Sequence, residues 1–177
     1  AAGLPEESVE RLNAAHNLAQ ALQEAGQYEE ALRLGRKNLT MIRRAYGPEH
    51  LGTLEAMRSL AGALADSGDL EAALALYTEV LATSRRVNGA EHEGTLDATN
   101  DLATTHMRMD NHHLALPLLQ EALDARRRMQ GDGHAMTLRA IGNLRQPHPQ
   151  HYRHLHAALC HASPHLKQAA LEILTLT

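Results

Sequence analysis

Gly47-Pro48-Glu49-His50, followed by Thr53-Leu54, returns 42 residues later as Gly89-Ala90-Glu91-His92 with Thr95-Leu96. It returns again at the same offset as Gly131-Asp132-Gly133-His134 with Thr137-Leu138. A fixed period of this length marks stacked supersecondary units, none of which buries its apolar face alone. Function in such an array belongs to a continuous surface, so a secluded catalytic centre is not expected.

Between two of these junctions the pattern is helical. Leu54, Met57, Leu60, Ala61 and Leu64 follow the spacing of an amphipathic helix until Asp66-Ser67-Gly68-Asp69 breaks it. A second stripe runs through Leu70, Ala73, Leu74, Tyr77, Val80 and Leu81, and closes near Arg85-Arg86 before Asn88-Gly89. Gly68 suits the positive φ of a helix C-terminus, and cations in a last turn face the carbonyl end of the helix dipole. The unit is therefore helix A, tight turn, longer helix B, loop. Asn17-Leu18-Ala19, Ser59-Leu60-Ala61, Asp101-Leu102-Ala103 and Asn143-Leu144 hold equivalent places in successive A helices. Gly26, Gly68 and Asp110 mark the A-to-B turns, and Ala31-Leu32, Ala73-Leu74 and Ala115-Leu116 open the B helices. The recurring alanines allow close helix approach.

Composition agrees. The 177 residues include no Trp, no Phe and four Tyr, so the interior must be built from Leu, Ala, Met and a few Val and Ile. Ala and Leu favour helix and β-branched residues are scarce, which predicts an all-α fold without sheet. A formal charge of -4 with interspersed signs offers no basic stripe for nucleic acid. A single cysteine, Cys160, cannot form an internal disulfide, no apolar run is long enough to span a bilayer, and the first residues lack a signal-peptide pattern. A cytoplasmic protein without nucleic-acid or membrane partners is expected.

A polar residue before Leu-Ala in helix A, Gly at the turn, and Glu-x-Ala-Leu in helix B resemble the tetratricopeptide repeat. The longer period, the Gly-Pro-Glu-His junction with its Thr-Leu, and Ala115-Leu116-Pro117-Leu118 are similar to its 42-residue, kinesin-light-chain-like subtype. The resemblance covers residues 8 to 145. The polar pair before Leu-Ala, commonly Asn-Asn in that subtype, reads His16-Asn17, Arg58-Ser59 and Asn100-Asp101, so no cargo preference carries over. It implies a right-handed superhelical solenoid of antiparallel helix pairs. The expected organisation is an extension over 1–7, repeats over 8–46, 47–88 and 89–130, a truncated fourth A helix over 131–146, and a divergent His-rich helical cap over 147–177.

In this family the A helices line a concave wall that binds a peptide or helix of a partner protein. The matching positions nominate Asn13, His16, Asn17, Gln20, Gln23 and Glu24 in the first A helix. The second contributes Glu55, Arg58, Ser59 and Asp66, and the third Asp97, Asn100, Asp101, Thr104 and Arg108. Arg139 and Asn143 belong to the fourth. Asn and Gln carry both donors and acceptors, as reading an extended backbone requires. The plainer alternative is that these residues are the solvated side of amphipathic helices. The positions contain no Lys and several acids, which fits a mixed or basic peptide better than a C-terminal carboxylate.

Other recurrences have structural explanations. Arg43-Arg44, Arg85-Arg86 and Arg126-Arg127-Arg128 fall in last turns of B helices, where dipole complementarity accounts for them, although a basic ridge facing an acidic partner is the other reading. His50, His92 and His134 lie too far apart to share an ion and are expected to cap or pack the junctions.

The pattern fails at Arg145-Gln146-Pro147-His148-Pro149, where paired prolines end the fourth A helix. Two further helices are predicted over 151–162 and 164–176, the second opened by Ser163-Pro164. Leu155, Leu159, Ala162, Leu166, Ala169 and Ile173 form an apolar stripe suited to capping the solenoid, to self-association into a homo-oligomer, or to folding onto the groove. The tail also concentrates His148, His151, His154, His156, Cys160, His161 and His165. His151, His154, Cys160 and His161 are candidate ligands, but there is no His-Glu-x-x-His and no paired Cys, so neither a metal nor another cofactor is expected. No phosphate-binding loop and no Gly-x-Ser-x-Gly is present, and Cys160 lacks a compelling activating arrangement, which argues against an enzyme.

Overall fold

A computed structural model describes the backbone of residues 6–130 and the side chains of residues 14–129. It contains α1 (Glu6–Glu24), α2 (Tyr28–Tyr46), α3 (Leu51–Ser67), α4 (Leu70–Asn88), α5 (Glu93–Arg108) and α6 (His112–Gln130), and no strand among these residues. Odd-numbered helices are the A helices of the repeat and even-numbered ones the B helices. The chain forms two compact units, residues 1–89 with α1 to α4 and residues 90–177 with α5 and α6. The expected tail helices, the proline break, Arg139, Asn143 and the candidate metal ligands lie outside the described residues.

Each A-to-B turn is made the same way. Gly26, Gly68 and Asp110 take φ values of 75°, 97° and 59°. Glycine enters that left-handed region without penalty, and Asp tolerates it better than most side chains. The next residue then donates its N–H back across the turn: Gln27 to Leu22 at 2.8 Å, Asp69 to Leu64 at 2.9 Å, and Asn111 to His106 at 2.9 Å. Carbonyls left over at the helix end are thereby satisfied. At the second turn the Asp69 carboxylate also caps α4, accepting from the Ala72 amide at 3.1 Å.

The B-to-A junctions explain the quoted motif. In the first unit, Gly47 donates to the Arg43 carbonyl at 3.0 Å and closes α2. The His50 ring is the N-cap of α3, its Nδ1 accepting from the Gly52 amide at 3.1 Å, while the Tyr46 ring stacks on it at a centroid distance of 4.8 Å. Thr53 donates from Oγ1 to the Gly47 carbonyl at 2.6 Å, fastening the two ends of the loop. His92 repeats the cap at the start of α5, accepting from Gly94 at 3.1 Å. Imidazole thus does the work usually given to Ser, Thr, Asp or Asn, and it accepts only through a ring nitrogen that carries no proton.

Packing follows the alanine columns. Ala31, Ala73 and Ala115 are at most 1% exposed, and Ala61 and Ala103 are fully buried, so backbones approach closely where helices cross. Met57, Leu123 and Val80 are the largest apolar side chains wholly buried among the described residues, consistent with an interior almost without aromatic rings. In the first unit α1 packs on α2, α2 on α3 and α3 on α4, with α1 also touching α3. In the second, α5 packs on α6 around Ala103, Ala115 and Leu119. Leu60 is 6% exposed beneath α2, whereas its counterpart Leu18 on α1 is 54% exposed.

Candidate functional site

In the first unit α1, α2 and α3 enclose a cleft of about 280 Å³. Six nominated residues line it: His16, Gln20, Gln23 and Glu24 from α1, and Glu55 and Ser59 from α3. Helical spacing puts the α1 residues on one face, because positions three, four and seven apart share it. The two walls are linked across the cleft. The Gln23 amide donates to the Asp66 carboxylate, and His16 Nδ1 lies 3.5 Å from Ser59 Oγ. At the rim Arg58 donates to Glu55 at 3.0 Å.

Not every nominated residue belongs to this cleft. Asn17 is exposed on α1, and Arg58 and Asp66 stand beside the cleft and not in its lining. The Asn13 side chain is outside the described residues. In the second unit Asp97 is bound by Arg126, whose guanidinium side chain is 4% exposed. That carboxylate has a structural duty, since a buried cation needs a partner. Asn100, read as outward-facing, is 7% exposed. Its register is that of Arg58, which reaches from a half-buried position to Glu55, and the shorter amide stays within the packed face. Asp101 is half-buried, Thr104 is exposed and donates to the Asn100 carbonyl at 2.9 Å, and Arg108 is exposed at the end of α5.

The floor of the cleft comes from residues that were not nominated. Ala31, Gly35 and Asn38 of α2 and Ala56, Leu60, Gly62 and Ala63 of α3, with Ala19 of α1, complete the lining. A Cβ built on Gly35 would lie 3.3 Å from Leu60 Cδ1, so α2 and α3 meet closely there. Asn38 is 4% exposed. The available signal was a comparison down the repeat columns, in which Gly35 aligns with Tyr77 and Leu119, and Asn38 with Val80 and Ala122.

Among the periodic arginines, Arg43, Arg86, Arg126 and Arg128 pair within their own units. Arg86 reaches Glu49 at 2.8 Å and Arg128 reaches Glu91 at 2.9 Å, each tying the end of a B helix to the loop that opens its repeat. Arg43 meets Glu79 at 3.0 Å. The hydrogen bond and charge of the Arg86 guanidinium hold the Glu49 carboxyl below its usual range, and Glu49 raises Arg86 in return. Both groups are solvent-exposed, where such pairs add little to stability. Near the last turn of α5, burial and then the neighbouring His113 make His106 harder to protonate.

Among the described residues no group of three or more His, Cys, Asp or Glu is placed to hold a metal, and no helix is long and apolar enough to cross a membrane.

These features define a helical-hairpin repeat protein, and the sequence comparison agrees: the tetratricopeptide repeat family model matches residues 10–86 and 60–128. The chain belongs to the tetratricopeptide repeat family. Among solved structures, the nearly identical TPR-like repeats of a Podosopora anserina protein named for the kinesin light chain, and a substituted form of the same repeats, each give a TM-score of 0.75 at 23% identity. The match covers 94% of this chain and 77% of that one. BtubC (BKLC) from P. vanneervenii gives 0.68 at 22% identity, over 93% of this chain and 61% of its own. At such identity the likeness is one of fold. No curated protein matches the chain.

Proposed function

We propose that the chain is a non-enzymatic interaction module that binds an extended peptide or a helix of a partner protein along the polar wall of its A helices. Tetratricopeptide repeats are generally protein-interaction scaffolds, which supports the class. The cleft of the first unit is the observation that carries the reading further. It gathers six polar or charged side chains from two neighbouring A helices around about 280 Å³ of open space. Side-chain amides at this density can read a peptide backbone, and pockets beside them select side chains.

The test is a peptide-display selection against the intact chain, followed by affinity measurement of the best peptide on a Gln20→Ala/Gln23→Ala variant. Loss of about tenfold or more in affinity is expected. Unchanged affinity, or a selection that enriches no peptide, overturns the reading.

A further inference from the structure

The first B helix departs from the other two on its inward face, at positions one turn apart. Position 35 is glycine where the later repeats carry Tyr77 and Leu119, which are 7% and 3% exposed. Position 38 is asparagine where they carry Val80 and Ala122, which are at most 1% exposed. Both changes fall in the wall of the cleft. The space has a counterpart within the same unit. The Tyr77 hydroxyl lies 3.4 Å from where a Cβ on Gly62 would sit, and the residue equivalent to Gly62 one repeat earlier is Gln20, which lines the cleft. The opening is thus the volume that a large side chain occupies in the following repeat. Packed interiors seldom leave such voids, because the surrounding atoms lose their dispersion contacts.

The chemistry around the opening selects what can enter. Two carboxylates, Glu24 and Glu55, stand in the lining, and no Lys or Arg does among the described residues; Arg58 at the rim engages Glu55 through Oε2 alone, which leaves Oε1 as an acceptor. The Ser59 hydroxyl and the Asn38 side-chain amide add further oxygens, the latter from a position 4% exposed. An acidic side chain would meet like charge, and an aromatic ring would match the bulk while leaving the carboxylates unused. A long aliphatic stem ending in a planar, five-donor cation satisfies both the volume and the acceptors.

We propose that the cleft between α1, α2 and α3 receives one arginine side chain of the bound partner, its stem against Gly35 and Leu60 and its guanidinium among the oxygens of Glu24, Glu55 and Asn38. This rests on the peptide-binding reading above and narrows it to a cationic anchor.

The experiment is a titration of the ¹⁵N-labelled full chain with N-acetyl-argininamide, N-acetyl-tyrosinamide and the amide of N-acetyl-glutamic acid, followed through the Gly35 and Gly62 amide signals. The arginine compound should shift both signals saturably and bind about tenfold more tightly than either of the others. Gly35→Tyr, which supplies in place the side chain of the next repeat, should abolish those shifts. Glu24→Gln with Glu55→Gln should weaken them by about tenfold, and decides the matter should Gly35→Tyr not fold. Equal or tighter binding of the tyrosine or glutamate compound, absence of any shift, or an arginine response unaltered by the double carboxylate change overturns the proposal. If displayed peptides bind while the arginine compound does not, the groove reading stands and the anchor falls; if neither binds, both fall.

Discussion

Helices α2 and α4 occupy the same register of consecutive repeats within one compact unit, yet one leaves a cleft and the other fills its space. α4 presents Ala73, Tyr77, Val80 and Ser84 to the interior, all buried. At the equivalent places α2 presents Ala31, Gly35, Asn38 and Ile42, of which Ala31, Asn38 and Ile42 are buried. The shared alanine and the shared turns keep the two hairpins alike in design, while two substitutions one turn apart exchange packing for an opening with an asparagine in its floor. Scaffold and site are therefore separable in this chain, because the repeat supplies the first and departures from the repeat supply the second.

The largest effect is expected from emptying the filled repeat. Tyr77→Ala should create in the second repeat a void like that of the first, and lower stability by about 3–5 kcal/mol, the usual cost of truncating a buried aromatic. Urea unfolding of the parent and the variant measures it; a loss below about 1 kcal/mol would mean that the interior collapses around position 77. The third repeat permits a related contrast. Glu55 and Asp97 share a column, but the exposed Glu55 meets a half-buried Arg58 at the rim whereas Asp97 neutralises the buried Arg126. Asp97→Ala should therefore cost about 3 kcal/mol, since it strands a buried cation. Glu55→Ala should cost about 0–1 kcal/mol, as an exposed pair does.

Much of this architecture is legible in the sequence. The offset of Gly47, Gly89 and Gly131 sets the period, the apolar stripes identify the helices, and Gly26, Gly68 and Asp110 were recognisable as turns because few residues accept positive φ. The role of His50 and His92 was legible as a junction duty and became specific as an Nδ1 cap on the Gly52 and Gly94 amides. The site was less so. Polar residues of α1, α3 and α5 were nominated by their match to the family's A-helix pattern, but such a match carries no information on depth, and Asn100 and Asp97 are committed to the interior and to Arg126. Gly35 and Asn38 escaped it because the match covered A helices alone and both stand on the inward face of a B helix, α2.

The junctions offer a smaller test that should act alike in both units, unlike the column substitutions. His50→Ala removes the acceptor for the Gly52 amide and the ring stacked on Tyr46. A loss of about 1 kcal/mol is expected, as for other N-caps, with His50→Asn recovering most of it. His92→Ala removes the same cap without a stacked ring, since Asn88 stands in the column of Tyr46, so equal losses in thermal unfolding would assign the whole effect to the cap. Gly35→Ala approaches the contrast between α2 and α4 from the other side. It relieves a helix-interior glycine and narrows the cleft, and should raise stability by about 0.5–1 kcal/mol provided the Leu60 methyl yields a few tenths of an ångström.

The least effect at neutral pH belongs to another broken column, Leu22, Leu64 and His106, in which the third repeat places a titratable ring where the others carry leucine. Burial, reinforced by His113, lowers the folded-state pKa of His106 below the ordinary histidine value of 6.5. The unfolded chain then binds the proton more readily, so stability rises with pH through the window below that value. The contribution is fully present above the unfolded pKa and is lost as pH falls through it toward the depressed folded value. His106→Leu removes the titration and restores the residue used by the first two turns. Thermal unfolding at about pH 8 and about pH 5, on either side of the histidine range, should therefore show a smaller acid-induced drop in the variant than in the parent. Equal drops would mean that the ring is as easily protonated in the folded repeat as in the unfolded chain, and that this departure from the repeat costs the fold nothing in acid.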